Sequence, residues 1–202
     1  MSATTARRTA TIERRTGETD VRLSLALGGS GAGTRETGVG FLDHMLDLLA
    51  RHGRIDLEVK VSGDLQTGAH HTAEDTAIVL GRAIDQALGD RSGIARYGSA
   101  TVPMDEARAS CAIDISGRPF TAFEAELPPG STGGFDHELT EEFFRALANA
   151  AKLTLHLRVE AGSNAHHMIE AAFKAFARAL RQAAAIDPDE SGVPSTKGTL
   201  TA

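Results

Sequence analysis

Asp43-His44-Met45-Leu46-Asp47-Leu48-Leu49 aligns with Glu141-Glu142-Phe143-Phe144-Arg145-Ala146-Leu147, and this match decides the fold. Without a gap, Ile55, Leu57, Val59 and Val61 fall on Leu153, Leu155, Leu157 and Val159. A two-residue gap then brings His70-His71 onto His166-His167, and upstream residues 18–29 lie over residues 106–117. The chain reads as an internal duplication of two halves of roughly 90–100 residues each, a period too long for a solenoid repeat.

Working outward, each half shows the same order of local patterns. Val21, Leu23, Leu25 and Leu27 alternate with Asp20, Arg22, Ser24 and Ala26, the mark of a half-buried strand. Phe41, Leu42, Met45, Leu48 and Leu49 follow a helical period, with Gly53 placed to end that helix. Residues 54–61 alternate as a strand, and residues 70–88 form a second helix ending near Gly89. In the second half, strands are expected near 95–102, 107–116 and 119–126. A loop at 128–134, a helix at 140–150, a strand at 152–159 and a helix at 166–185 follow. The division is a polar, flexible N-terminus at 1–10, half-repeats at 11–93 and 94–185, and an irregular tail at 186–202, containing Pro188, Gly192, Pro194 and Gly198, that contributes to the substrate site. The fold class is α+β, with sheets covered by helices on one face.

Composition narrows the function. With 202 residues, 41% hydrophobic and 24% charged, the chain can build a substantial core. A net charge of −6 without a basic run argues against nucleic acid or an anionic membrane as partner. Cys111 is the single cysteine, which rules out an internal disulfide and a cysteine-zinc cluster and fits a reducing, cytoplasmic compartment. There is no secretory signal and no apolar run of transmembrane length.

The two His-His pairs carry the chemistry. In His70-His71-Thr72-Ala73-Glu74 and His166-His167-Met168-Ile169-Glu170, the first histidine shares a helix face with the glutamate four residues on. The second histidine points about 100° away, toward a different centre. Two such segments predict a site with two metals, and imidazole plus carboxylate without thiolate favours Mn, Fe, Ni or Zn, leaning to a harder octahedral ion. His44 lies on the polar stripe of its helix, and the repeat places Glu142 at the corresponding position, so each can complete one of two equivalent sites. His137 rivals Glu142 but needs a five-residue shift of the repeat. His156 reads as a sheet-surface residue, while His52 either favours a helix dipole or reaches a cavity shared with His44. Lys174 rises from the same helical stripe as Glu170, and Ser195-Thr196-Lys197-Gly198 offers hydroxyls, a cation and a pliant backbone. Arg96 and Arg118 can close an oxyanion clamp. A metal-dependent lyase, a dinuclear metallohydrolase and a non-catalytic metal-assembled shell all remain open at this point.

Taken together, four segments resemble the imidazoleglycerol-phosphate dehydratase family, in its monofunctional form. They are Gly40-Phe41-Leu42-Asp43-His44-Met45-Leu46, His70-His71-Thr72-Ala73-Glu74-Asp75-Thr76, His166-His167-Met168-Ile169-Glu170-Ala171 and Pro194-Ser195-Thr196-Lys197-Gly198. The resemblance implies a duplicated unit, each half a four-stranded sheet with helices on one face, of the ribosomal protein S5 domain 2-like type. It implies a manganese enzyme with two Mn2+ per active site that dehydrates imidazole glycerol phosphate to imidazole acetol phosphate in histidine biosynthesis. It also implies a homo-oligomeric 24-mer with active sites between subunits. The ligand positions implied are His44, His70, His71, Glu74, His166, His167 and Glu170, with Glu142 standing where some members carry His. The implied substrate and phosphate contacts are Arg96, Arg118, Lys174, Ser195, Thr196 and Lys197, joined by His52. Glu18 matches the acid/base glutamate, acting with His44, His71 and Glu170, and Asp75, Asp105 and Glu106 are further candidates for moving a proton.

Overall fold

The alternation of Val21, Leu23, Leu25 and Leu27 becomes β2 (Thr19–Leu27), with all four side chains buried. Antiparallel neighbours β1 (Thr9–Arg15) and β4 (Ile55–Gly63) place Ile12 and Val59 opposite Leu23. β3 (Arg35–Glu36) joins β4 in parallel, so the first sheet has the order β1-β2-β4-β3. The second half repeats this plan with β5 (Tyr97–Met104), β6 (Ala107–Asp114), β7 (Phe120–Glu124) and β10 (Thr154–Ala161), in the order β5-β6-β10-β7. β7 is again parallel to β10, and the other pairs are antiparallel. A short hairpin of β8 (Ser131–Thr132) and β9 (Phe135–Asp136) grows from the loop expected at 128–134.

This computed structural model describes residues 8–200. The flexible N-terminus expected at 1–10 falls largely outside them, but Thr9 and Ala10 are paired with Ala26 and Leu25 and belong to β1. As an edge strand with one neighbour, β1 buries few side chains, which leaves its sequence without a clear alternation.

Four helices complete the body: α1 (Gly40–Gly53), α2 (His70–Leu88), α3 (Leu139–Ala151) and α4 (Ala165–Ala183). α2 lies on β1, β2 and β4, and α4 lies on β5, β6 and β10. Across the halves α2 packs on α3 and α1 packs on α4, so the helical faces of the two sheets share one core. Phe143, Phe144, Phe173 and Phe176 form its aromatic centre, with the Phe144 and Phe173 rings 4.7 Å apart. No helix among the described residues is long and apolar enough to cross a membrane.

Gly53 does not end α1 through a left-handed conformation. Arg54 takes that role at φ 54°, as Lys152 does for α3 at φ 55°. Gly53 stays helical as the last residue of α1, where an added Cβ would lie 3.1 Å from Ile55 Cδ1. Two glycines elsewhere permit close approach. A Cβ at Gly81 would lie 2.5 Å from the Leu147 carbonyl oxygen on α3, and one at Gly98 only 2.0 Å from that of Ala179 on α4. Neither backbone can retreat without unseating a helix. Gly98→Ala is expected to cost about 1–3 kcal/mol through overpacking, read as a lower urea midpoint. An unchanged midpoint would mean that β5 and α4 separate freely.

Candidate metal centre and phosphate-binding tail

α1 and α4 run side by side, which brings His44 from the first half against His166 and Glu170 from the second. The Nε2 atoms of His44 and His166 lie 3.3 and 3.2 Å from Glu170 Oε2. One ligand atom from each residue falls within 4.8 Å of the others, and among the described residues this is the one group compact enough to hold an ion by itself. Phe41 sets its ring edge-on to His166 at 5.0 Å, restricting the imidazole. Glu170 is only 5% exposed, and Lys174 Nζ sits 2.5 Å from its Oε1. Burial alone would raise the Glu170 carboxyl, yet the hydrogen bond and charge of Lys174, with help from His44, hold it below its ordinary value. Two imidazoles and an anionic carboxylate with no thiolate nearby fit a divalent cation. Cys111 is buried in β6, where desolvation pushes its thiol up.

The repeat-related set comes from α2 and α3. His70 Nε2 lies 3.8 Å from Glu74 Oε2. Glu142 joins His70 in lining a cavity of about 770 Å³. The compact group thus crosses the halves, with α1 serving the His-His segment of α4, and α3 and α2 share the lining of the second cavity.

The second histidine of each pair turns elsewhere. The rings of His70 and His71 are inclined by 80°, and those of His166 and His167 by 82°. His71 Nδ1 is 3.0 Å from Asp64 Oδ2, and its Nε2 is 3.6 Å from Glu18 Oε1. His167 Nδ1 is 2.7 Å from Glu106 Oε2, and its Nε2 is 3.7 Å from Asp105 Oδ2. The Asp64 hydrogen bond raises the His71 pKa, and the Glu106 hydrogen bond raises that of His167. Glu106 is lowered to about 2, first by His167 and then by the backbone N–H groups of Asn164 and Ser163. Sequence reasoning missed Asp64, which precedes the helix in a turn and shares no period with it.

Other candidates are committed elsewhere. Asp75 is buried, paired with Arg14 at 2.5 Å and accepting from the Thr19 hydroxyl, so it docks α2 on β1 and β2 and is not open to move a proton. His137 is also buried, with Nε2 2.9 Å from Thr132 Oγ1 and Nδ1 2.7 Å from the Pro128 carbonyl oxygen. It ties the β8–β9 loop, and it lines the same cavity as His70 and Glu142. His52 is half-buried, and burial followed by the charge of Lys174 lowers its pKa. His156 is exposed on β10 against the Phe120 ring.

The irregular tail is docked at several points. Gly93 N–H donates to the Gly192 carbonyl at 2.8 Å. Arg96 grips Asp114 with two nitrogens at 2.7 and 3.1 Å and donates its third to the Pro194 carbonyl at 2.9 Å. Arg91, 1% exposed, pairs with Asp85 at 2.6 Å and donates to the Leu200 carbonyl at 3.0 Å. Ser195-Thr196-Lys197 is thereby held between Pro194 and Leu200, with Lys197 N–H donating to Ser195 Oγ at 3.2 Å. Arg118 and Lys197 are exposed. Arg96 and Lys174 are instead engaged within the chain, with Arg96 supporting the tail and Lys174 neutralising Glu170. Arg91 carried no signal in the sequence, where Asp90-Arg91-Ser92-Gly93 reads as an ordinary turn.

The chain was compared with known proteins. A family model described as imidazoleglycerol-phosphate dehydratase matches residues 37–180. The imidazoleglycerol-phosphate dehydratase of Moorella thermoacetica is 56% identical over 194 residues, covering 96% of this chain and 99% of that protein. That of Methylorubrum extorquens is 57% identical over 194 residues, covering 96% and 100%. The crystal structure of imidazoleglycerol-phosphate dehydratase from Staphylococcus aureus subsp. aureus superposes with a TM-score of 0.81 at 40% identity, covering 89% of this chain and 99% of that one. The α+β architecture with two four-stranded sheets expected from the sequence is shared with that structure. The chain belongs to the imidazoleglycerol-phosphate dehydratase family of hydro-lyases.

Proposed function

We propose that this chain dehydrates imidazole glycerol phosphate to imidazole acetol phosphate in histidine biosynthesis, with two manganese ions per active site, as a 24-mer whose sites lie between subunits. The observation that carries this reading is the convergence of His44, His166 and Glu170 in one place, while the repeat-related His70 lies 3.8 Å from Glu74 and shares a cavity lining with Glu142. His71 and His167 diverge from these groups, so they are free to serve sites completed by a neighbouring subunit. When bound, the metals supply Lewis acidity to the imidazole ring of the substrate.

The chain's own residues do the rest. Asp64 and Glu106 hold the Nδ1 atoms of His71 and His167, which leaves each Nε2 for an ion. Glu18, exposed in the turn between β1 and β2, moves the proton at the carbon one removed from the ring while hydroxide leaves the carbon next to the ring, which is protonated to water. Tautomerisation of the enol then gives the ketone. Arg118, Ser195, Thr196 and Lys197 hold the phosphate, and Arg91 and Arg96 set the position of that tail. Incubating the metal-loaded protein with imidazole glycerol phosphate tests the reading. Ketone is the expected product. Free phosphate would make it a metallohydrolase, and no turnover with full metal would leave a structural shell.

Lys197→Ala and Arg118→Ala should each weaken substrate binding about 10- to 150-fold, the worth of a charged hydrogen bond of roughly 1.5–3 kcal/mol, with metal content unchanged. Steady-state kinetics and elemental analysis check this, and unaltered KM in both variants would remove them from the clamp. Manganese binding should also depend on pH. An imidazole must be neutral to ligate, and those of His71 and His167 are raised above their ordinary value. Affinity is therefore weakest at acid pH and climbs until both have lost their protons. Manganese titrations between about pH 5 and about pH 8 measure it, and a flat profile would mean that neither histidine is a ligand.

A further inference from the structure

A cavity of about 430 Å³ lies at the far ends of α1 and α4 from the histidine cluster, bordered by Gly53 of α1 and Leu180 of α4. From His44 to Gly53 the helix rises about 14 Å, so the two places are separate. Arg8, Arg54 and Arg181 line the cavity, Leu27 and Ile55 give it an apolar wall, and no acidic residue is present. On a chain of net charge −6, three unopposed cations around one hollow are a local excess.

Arg8 is the decisive residue. Among the described residues four arginines have a guanidinium nitrogen that is buried without a hydrogen-bond partner: Arg8, Arg14, Arg35 and Arg91. Arg14 has Asp75, Arg35 has Asp47 and Arg91 has Asp85 as counter-charge. Arg8 has no counter-charge among the described residues, and desolvation alone acts on it, lowering its pKa. Arg8 is half-buried, with Nη1 its buried and unpartnered nitrogen, and a buried cationic nitrogen with neither hydrogen bond nor ion pair is costly, so native proteins supply a partner. Arg54 and Arg181 stand at helix C-termini, where a cation complements the macrodipole. Arg8 has no such reason. It precedes β1, and its carbonyl accepts from Leu27 N–H at 2.9 Å.

We propose that this cavity is a second anion site, taking the phosphate or carboxylate of a small, partly apolar metabolite. The cavity is larger than a bare oxyanion requires and falls in the range of small-molecule sites, and its wall offers apolar contact beside the cations. Guanidinium groups match the planar, multidentate geometry of both anions.

Sulfate is the probe, titrated calorimetrically at low salt into the metal-loaded full chain. Lys197→Ala serves as background, so that the tail does not obscure the result. One sulfate per chain is expected in that background. Adding Arg8→Gln should weaken its binding about tenfold or more, and adding Arg181→Gln should weaken it to a lesser degree. Arg8 precedes the first strand and Arg181 is exposed, so both variants should keep the fold, which circular dichroism checks. No sulfate bound in the Lys197→Ala protein, or equal affinity with and without Arg8→Gln, would overturn the proposal. A fall in particle size on Arg8→Gln without any loss of sulfate would also overturn it, since the counter-charge would then belong to a second copy of the chain.

Discussion

Glu18→Gln is expected to lower turnover by about 10²- to 10⁴-fold, the range of a lost general acid/base, while metal content and substrate affinity stay in place. The structure gives reasons for so selective a loss. Glu18 is exposed, and its hydrogen bonds within the fold run through its backbone, from its N–H to Thr16 Oγ1 and from Asp64 N–H to its carbonyl. Gln preserves both. The side chain's contact is with His71 Nε2 at 3.6 Å, which places a carboxylate beside a candidate ligand without making it part of the compact cluster. Gln keeps the shape and cannot cycle a proton. Turnover, KM and metal content together check this. A variant that keeps more than about a tenth of the wild-type rate, far inside the expected loss, would move the proton transfer to Asp105 or Glu106, which stand in the equivalent place beside His167.

Glu170→Gln should damage both stability and metal binding. Its carboxylate is buried and shared among His44, His166 and Lys174. Removing the charge leaves the half-buried Lys174 ammonium without its anion, and breaking such a pair costs about 3 kcal/mol in the metal-free protein. It also weakens one of three donors in the group best arranged for an ion. The pH dependence follows from the depressed Glu170 pKa. A carboxyl lowered in the folded state adds stability above its unfolded pKa and loses it as pH falls through the folded value. The gap between wild type and variant should therefore be full at neutral pH and close toward about pH 3–4. Urea unfolding of chelated protein at both ends of that range measures it. Equal stability at neutral pH would mean that Lys174 has another counter-charge.

Much of this molecule is legible in the chain itself. The alternation at Val21, Leu23, Leu25 and Leu27, and its echo at Leu153, Leu155 and Leu157, specify strands, because the side-chain period of an extended backbone is a local property. The divergence of His70 from His71 and of His166 from His167 is local too, set by the angle per residue of a helix. The repeat then dictates two sheets of one topology. The edge strand β1 escaped because it buries little, and α1 ends at Gly53 as the sequence suggests, although Arg54 and not the glycine takes the left-handed conformation.

Only the tertiary structure decided who meets whom. The repeat offers His44 and Glu142 as equivalent residues but says nothing of which His-His segment each will face. Packing of α1 on α4 and of α3 on α2 sends each across to the other half. Charged residues show the same division. In the sequence Asp75 reads as a candidate for moving a proton and Arg96 as part of an oxyanion clamp, and Arg91 stands out for nothing, yet packing commits each to a specific partner: Arg91 to Asp85 and the Leu200 carbonyl, Asp75 to Arg14, and Arg96 to Asp114 and the Pro194 carbonyl. Helix and strand are set over a few residues by backbone geometry, whereas the partner of a buried charge is set by which distant element excludes its water, and that exists only once the halves have packed.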